Sequence, residues 1–226
     1  PDSMEAEPLA GHDAEQVALM SEECILVDER DTVLGGASKV ECHHGAGQPH
    51  RAFSLLIFDS RGRLLLQQRS PGKITFPGVW ANSCCSHPLH RAAELEERDA
   101  LGVKRAAQRK LEQELGVPPK DTPLERMVFM TRMLYRARAD AEWVEHEMDH
   151  IICLRADVTP RPNPNEIAEA RWVTEAELRE LLDSEPVGPW FRLIAERLLP
   201  AWWADLDGLA GMSDGEIHDM GEVAWS

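Results

Sequence analysis

The sequence contains the run Ala52-Phe53-Ser54-Leu55-Leu56-Ile57-Phe58, followed by a turn over residues 59–62 and by Leu64-Leu65-Leu66-Gln67-Gln68. Both runs are largely apolar, and the turn between them consists of Asp, Ser, Arg and Gly. Short apolar runs bounded by turn residues are typical of strands that are buried on both faces. We therefore expect residues 52–68 to form the central buried hairpin of a mixed sheet.

Further strands are expected on both sides of this hairpin. Residues 23–28 and 32–36 are two apolar runs separated by a turn, a pattern that predicts a second hairpin. Residues 127–137 and 145–154 are also interpreted as strands. The sheet is thus expected to draw its strands from most of the chain.

Helices are expected between and after these strands. Apolar positions recur near the helical period over residues 102–115, and Gly116 follows as a C-terminal stop. Thr174, with Glu177 three residues later, predicts a capped helix start. A last helix is expected to run from Pro189 toward Trp203.

This alternation predicts a single α/β (α+β) domain over residues 21–205. Residues 1–20 are expected to form a flexible N-terminal segment, and residues 206–226 an acidic C-terminal tail. The start of the chain is acidic and polar, unlike a targeting peptide, and no run of eighteen apolar residues predicts a membrane span.

The charge distribution limits the partners. A formal net charge of −16 argues against binding to nucleic acid or to an anionic membrane, because both need a basic face. Between residues 38 and 78, however, cationic residues outnumber acidic ones by six to two. Two of these cations fall in the turn at residues 59–63, where a solvated surface explains them. The remaining candidates for holding a phosphate or diphosphate are Lys39, Arg69 and Lys73.

The cysteines indicate the compartment. Five cysteines leave one over after any pairing, and the adjacent Cys84 and Cys85 could be joined only with strain. We therefore expect a reducing compartment, the cytosol. The residues around Cys85 are polar, and His87 lies two residues after it. Cys85 is therefore a candidate acid or base. A buried structural thiol is nevertheless the commoner role for a free cysteine. On these grounds Cys84 is equally eligible.

A second cluster is Glu145-His146-Glu147. In a strand, Glu145 and Glu147 point to one face and His146 to the other. A pair of this kind is more often part of an exposed strand edge. Together with His43, His50 and His87, however, it could bind a divalent ion such as Mn²⁺, Zn²⁺ or Mg²⁺.

Several of these motifs, in this order, closely resemble those of the type I isopentenyl-diphosphate isomerases, which have the Nudix fold. The resemblance extends over roughly residues 22–203. The motifs are Lys39 with His43 four residues later, His50-Arg51-Ala52-Phe53-Ser54, Leu65-Leu66-Gln67-Gln68-Arg69-Ser70, Lys73-Ile74-Thr75-Phe76-Pro77-Gly78, Asn82-Ser83-Cys84-Cys85-Ser86-His87-Pro88 and Trp143-Val144-Glu145-His146-Glu147. The implied fold is a Nudix-type mixed sheet between helices, with extra N-terminal strands and a C-terminal helix.

The resemblance implies a role for each candidate residue. It implies a buried site for a second divalent ion, formed by His43, His50, His87, Glu145 and Glu147. It implies that Glu114 helps to hold Mg²⁺ at the substrate diphosphate, which Lys39, Arg69 and Lys73 contact. Cys85, rather than Cys84, matches the catalytic cysteine. Tyr135, the single tyrosine of the chain, matches a residue near the reacting alkene, and Trp190 an aromatic that faces the substrate.

The implied reaction converts isopentenyl diphosphate to dimethylallyl diphosphate through a tertiary carbocation, in isoprenoid biosynthesis. Cys85 and Glu147 are the hypothesised acid–base pair, with Tyr135 assisting. The alternative is a Nudix hydrolase of nucleoside-diphosphate-type substrates. Residues 109–116 retain one of the three acids expected in a hydrolase box, with Lys110 at the first of these positions, which argues against hydrolysis. A metal- or partner-binding module without catalysis is a third possibility. We expect a monomer whose partner is a small diphosphate.

Overall fold

The computed structural model describes residues 9–225. Its helices are α1 (Ala14–Leu19), α2 (Lys39–His43), α3 (Leu101–Leu115), α4 (Glu175–Ser184), α5 (Pro189–Arg197) and α6 (Leu199–Ala204). Its strands are β1 (Glu23–Val27), β2 (Val33–Ser38), β3 (His50–Phe58), β4 (Leu64–Arg69), β5 (Trp80–Ala81), β6 (Cys84–Ser86), β7 (Val128–Arg138), β8 (Val144–Arg155), β9 (Ile167–Val173) and β10 (Ile217–Val223). Short 3-10 turns lie at Arg98–Ala100, Pro119–Asp121, Leu124–Arg126 and Leu209–Met212.

The strands form a mixed sheet, as predicted. The order along its main path is β10-β7-β8-β3-β1-β2, in which β3 and β8 run parallel and β7 and β8 antiparallel. The parallel register places His50 beside Glu147. Two distant parts of the sequence therefore meet at the start of β3.

The expected central hairpin is buried, but its strands do not stay paired. β3 and β4 pair only where Phe58 meets Leu64, next to the turn. Beyond that point β8 and the short β6 flank β3, while β4 pairs with β5 and β9. The predicted hairpin is thus confirmed next to the turn and wrong beyond it, because other strands replace the expected partner. Two of these strands, β8 and β9, lie far away in sequence.

Helices cover both faces of the sheet. α3 packs over one face, on a core that includes Leu55, Ile57 and Leu111. α4, α5 and α6 cover the other, on a core that includes Leu56, Ile151 and Phe191. This arrangement confirms the predicted mixed sheet between helices.

The helix boundaries follow local signals. Gly116 ends α3 with φ of +59°, and a Cβ there would lie 3.0 Å from the carbonyl oxygen of Arg161. Thr174 and Glu177 form the predicted capping box of α4. The single last helix expected from Pro189 to Trp203 is instead two helices, broken at Leu198, because Pro200 has no N–H to continue the ladder.

Both ends of the described chain join the domain. β10 runs parallel to β7 at the edge of the sheet, so the segment expected to be a separate acidic tail extends the sheet by one strand. Asp13 is the N-cap of α1, and its carboxylate accepts from the backbone N–H groups of Glu15 and Gln16, although residues up to 20 were expected to be flexible. That expectation also covers residues 1–8, which lie outside the described residues. Within residues 9–225, none of the helices has the length and apolar character needed to cross a membrane.

Candidate active site

Three imidazole rings surround one carboxylate oxygen. His87 Nε2 lies 2.9 Å from Glu147 Oε1. The Nε2 atoms of His50 and His43 lie 3.6 Å and 3.7 Å from that oxygen. One ligand atom from each of these four residues lies within 4.8 Å of all the others. The structure thus gathers residues from α2, β3, β8 and the segment after β6.

Backbone carbonyls fix the orientation of two of these rings. His43 Nδ1 lies 2.8 Å from the carbonyl oxygen of Lys39, and His50 Nδ1 lies 2.7 Å from that of Gln48. Each Nδ1 therefore carries the proton and donates, which leaves a lone pair on Nε2. Hydrogen bonds of this kind orient histidines that bind metals.

The group fits a divalent metal ion. In the described part of the chain, the buried His50 Nε2 has no hydrogen-bond partner. Burial lowers the pKa of His43 and that of His87, so both rings are neutral and can offer lone pairs. Three imidazole nitrogens and one carboxylate form a donor set suited to a transition-metal ion.

Glu145 lies outside this group of four. Its Oε2 is 2.8 Å from the Tyr135 hydroxyl, which is also 2.6 Å from Glu147 Oε2. All three side chains are almost completely buried. Burial and the charge of Glu147 raise the pKa of Glu145 well above its usual range. Tyr135 therefore links Glu147, the carboxylate of the group of four, to Glu145, whose carboxyl group is expected to be protonated.

Most of these side chains line one cavity of about 70 Å³. The predicted site residues at its wall are Lys39, His43, Arg69, Lys73, Cys85, His87, Glu114, Glu145, Glu147 and Trp190. The two others, His50 and Tyr135, contact Glu147 but do not line the cavity. The structure thus brings every predicted site residue to the cavity wall or into contact with Glu147.

The two adjacent cysteines have different environments. Cys85 lines the cavity, and its Sγ lies 3.9 Å from Gln67 Nε2. Cys84 is fully buried, with its Sγ 3.8 Å from Glu114 Oε2. Burial raises the pKa of the Cys85 thiol far above its usual range, so this group is present as S–H. Of the two, Cys85 is the thiol that can meet a ligand.

Each predicted cation is held by a partner. Lys39 Nζ lies 3.0 Å from Glu22 Oε2, and Lys73 Nζ lies 2.5 Å from Glu166 Oε2. Arg69 donates through Nε to the carbonyl oxygen of Phe76 over 3.0 Å and through Nη2 to that of Thr75. The cations are therefore fixed at the cavity wall by these contacts.

Two further contacts hold Glu114 and Trp190 of the wall in place. Lys110 Nζ pairs with Glu114 Oε1 over 3.0 Å, and both side chains are buried. The Trp190 indole donates through Nε1 to Asn82 Oδ1 over 3.0 Å. The Asn82 amide in turn donates to the carbonyl oxygens of Leu55 and Cys84, which fixes the indole relative to β3 and β6.

Sequence reasoning did not assign roles to several residues of this site. α1 places Gln16, Leu19 and Met20 on the cavity wall, and Gln16 donates to Asn165 Oδ1 over 2.7 Å. Glu22 and Glu166 form ion pairs with Lys39 and Lys73. These partners lie far apart in sequence, and no local pattern indicates which acid meets which base.

Comparison with known proteins assigns the chain to a family. Residues 48–193 match the Nudix domain. The bovine protein named isopentenyl-diphosphate Delta-isomerase 1 is 48% identical over 218 residues, which cover 92% of this chain and 96% of that protein. This chain belongs to the isopentenyl-diphosphate isomerase family of the Nudix fold. Isopentenyl-diphosphate Delta-isomerase II of Clarkia breweri, another relative, is 48% identical over 86% of this chain and 72% of that protein.

Solved structures support the fold. A crystal structure of a Deinococcus radiodurans protein superposes with a TM-score of 0.56 at 22% identity, covering 76% of this chain and 97% of that one. A Nudix hydrolase from Alicyclobacillus acidocaldarius gives a TM-score of 0.54 at 12% identity, covering 76% and 99%. At these identities the likeness shows the shared fold alone.

Proposed function

We propose that this chain is an enzyme that interconverts isopentenyl diphosphate and dimethylallyl diphosphate. The observation that carries the proposal is the joint placement of Cys85 and Glu147 at one small cavity. Relatives named for this reaction match the chain along 92% of its length. The reaction belongs to isoprenoid biosynthesis and needs no redox partner.

The reaction moves one proton onto the alkene and removes another. Protonation of the terminal CH₂ carbon creates a tertiary carbocation, and removal of a proton from C2 forms the new double bond. One of Cys85 and Glu147 donates the first proton and the other accepts the second. In each turnover the pair therefore gives one proton to the substrate and takes one proton from it. Tyr135, hydrogen-bonded to Glu147, would assist by moving a proton along Glu145, Tyr135 and Glu147.

His43, His50, His87 and Glu147 would hold a divalent ion, which stabilises the carboxylate form of Glu147 when it is bound. Three nitrogen donors favour Zn²⁺ or Mn²⁺ over Mg²⁺, which prefers an all-oxygen shell. Glu145 would act beside this group through Tyr135 rather than as a primary ligand.

The other cavity residues would hold the substrate. Lys39, Arg69 and Lys73 supply positive charge for the diphosphate, and Glu114 would share a Mg²⁺ ion with it. Trp190, fixed by Asn82, offers an indole face to the carbocation, a contact worth on the order of 2 kcal/mol in a site without water. We place the reaction in the cytosol and propose that a monomer performs it.

The runner-up, hydrolysis of a nucleoside diphosphate, is disfavoured by Lys110. In a hydrolase box an acid would stand here, whereas this chain has a buried ammonium paired with Glu114. A cation at this point opposes the accumulation of metal ions that hydrolysis of a diphosphate needs.

The experiment that tests the proposal separates the two reactions. Purified, metal-supplied protein is incubated with isopentenyl diphosphate, and dimethylallyl diphosphate and free phosphate are both quantified. We expect isomer without phosphate. Phosphate release from this substrate or from nucleoside diphosphates, with no isomer, would favour the hydrolase instead.

A further inference from the structure

Gln67 is a buried amide beside the Cys85 thiol. It lies on β4, opposite Ala81 of β5 and Ala170 of β9, and 1% of the residue is exposed. Its Nε2 lies 3.9 Å from Cys85 Sγ. Its Oε1 has no hydrogen-bond partner in the part of the chain that the structure describes.

An amide at this position costs stability. A buried polar atom without a partner loses its hydration and gains no hydrogen bond in return. Leu65, two residues earlier on β4 and therefore on the same face of the strand, is completely buried, so an apolar side chain would suit this environment. The amide therefore needs an explanation other than packing.

The chemistry of the neighbouring sulfur offers that explanation. A primary amide can meet a thiol in both of its protonation states, since its oxygen accepts from S–H and its nitrogen donates to S⁻. These two contacts differ by a half-turn of the amide about its last side-chain bond. A partner of this kind suits a group that loses and regains one proton in every turnover.

We propose that Gln67 is a positioning residue for Cys85. When the Cys85 S–H bond breaks and its proton passes to the terminal carbon of the substrate, the N–H of Gln67 stabilises the sulfur anion. The proton that leaves C2 goes to Glu147 and from there to water, and Cys85 takes a proton from water before the next turnover. The amide oxygen then accepts from the re-formed S–H and orients it. The inference rests on the proposed function, in which Cys85 is one of the two groups that exchange a proton with the substrate.

The test compares Gln67→Met with Gln68→Met. Gln68 is the next residue of the strand, and its amide donates instead to the carbonyl oxygen of Gly78 over 3.1 Å. For Gln67→Met we expect kcat to fall by about tenfold to a hundredfold, the range for loss of a hydrogen bond to a charged group. KM should change less than about twofold, because the diphosphate is held elsewhere, and the Gln68 variant should keep both constants.

Stability separates this role from a structural one. The change to Met removes an acceptor that lacks a partner, so the free energy of unfolding should stay the same or increase. An unchanged kcat would overturn the inference. So would a Gln67→Met variant that is destabilised or fails to fold, because the amide would then be required for the structure.

A second readout needs no turnover. The rate at which iodoacetamide alkylates Cys85 at a fixed pH is followed by peptide mass spectrometry. Because the thiolate is the reactive form, loss of its hydrogen-bond donor should slow alkylation by about tenfold. An equal rate in both variants would overturn the inference. Failure of the wild-type protein to form isomer would instead refute the proposed function, and the alkylation rates would still test the contact.

Discussion

The Tyr135 hydroxyl lies 2.6 Å from Glu147 Oε2. Glu147 both lines the cavity and belongs to the group that could hold a metal ion. The same hydroxyl is 2.8 Å from Glu145 Oε2. A hydroxyl has one proton to donate, so two contacts with carboxyl oxygens require a proton on one of the carboxyl groups. The raised pKa of Glu145 places that proton on Glu145. The three groups thus form a chain of hydrogen bonds that ends at Glu147.

Tyr135→Phe interrupts this chain and keeps the ring in place. We expect kcat to fall by about tenfold or more, with a smaller change in KM, because the phenol contacts a reacting group rather than the diphosphate. Steady-state kinetics of isomer formation measure both constants. Met133→Leu, a change on the same face of β7, is the matched control and should keep kcat. Equal activity of the two variants would show that Tyr135 has no part in the chemistry.

Metal content provides a test that does not depend on activity. His50→Gln should lower the bound Zn²⁺ or Mn²⁺, measured by elemental analysis, while His12→Gln, at an exposed position, should not. Chelation of the wild-type protein should reduce its free energy of unfolding, by about 2.7 kcal/mol if the free ion was present at about 100 times its Kd. Equal metal content in the two variants would contradict the proposed ligand group.

The pH dependence of KM should report on Lys73. Burial and the nearby Arg69 lower the pKa of Lys73 to about 8. The lysine is cationic below this value and loses its charge as the pH rises through it, so diphosphate binding should weaken above pH 8. We expect KM to rise by roughly tenfold between about pH 7 and pH 9. Lys73→Arg stays charged throughout and should remove the rise. A rise of the same size in that variant would assign the effect to another group.

Lys110 and Glu114 should be coupled energetically. Lys110→Met leaves a buried carboxylate without its partner and should lower the free energy of unfolding by about 3–5 kcal/mol. Adding Glu114→Gln removes that charge, so the double variant should be more stable than the sum of the two single changes predicts. Urea unfolding of the four proteins measures the coupling. Additive effects would mean that the pair does not stabilise the fold.

Much of the fold could be predicted because it depends on local signals. The capping box at Thr174, the stop at Gly116 and the apolar runs of β3 and β4 are readable in the sequence. The divergence of β3 from β4 is not, since it depends on β6, β8 and β9 taking the neighbouring places. The edge strand β10 was missed because its residues are mostly polar and only partly buried.

The site residues were foreseen by their motifs, but their contacts were not. The sequence grouped Glu145 and Glu147 together as ligands, whereas the structure joins only Glu147 to the histidines and links Glu145 through Tyr135. The acids beside Lys39 and Lys73, and the amide beside Cys85, come from other elements of the fold. Such pairings depend on tertiary packing, for which a single sequence has no spacing rule.

Allylic proton transfer by Cys85 and Glu147 leaves deuterium in the product when the reaction runs in heavy water. Proton NMR of isopentenyl diphosphate in heavy water, with wild-type protein, Cys85→Ala and Cys84→Ala, tests it most directly. We expect deuterated dimethylallyl diphosphate from the wild type and from Cys84→Ala, and almost none from Cys85→Ala. Unchanged substrate with folded, metal-loaded wild-type protein, or equal deuterium incorporation by the Cys85 variant, would contradict it.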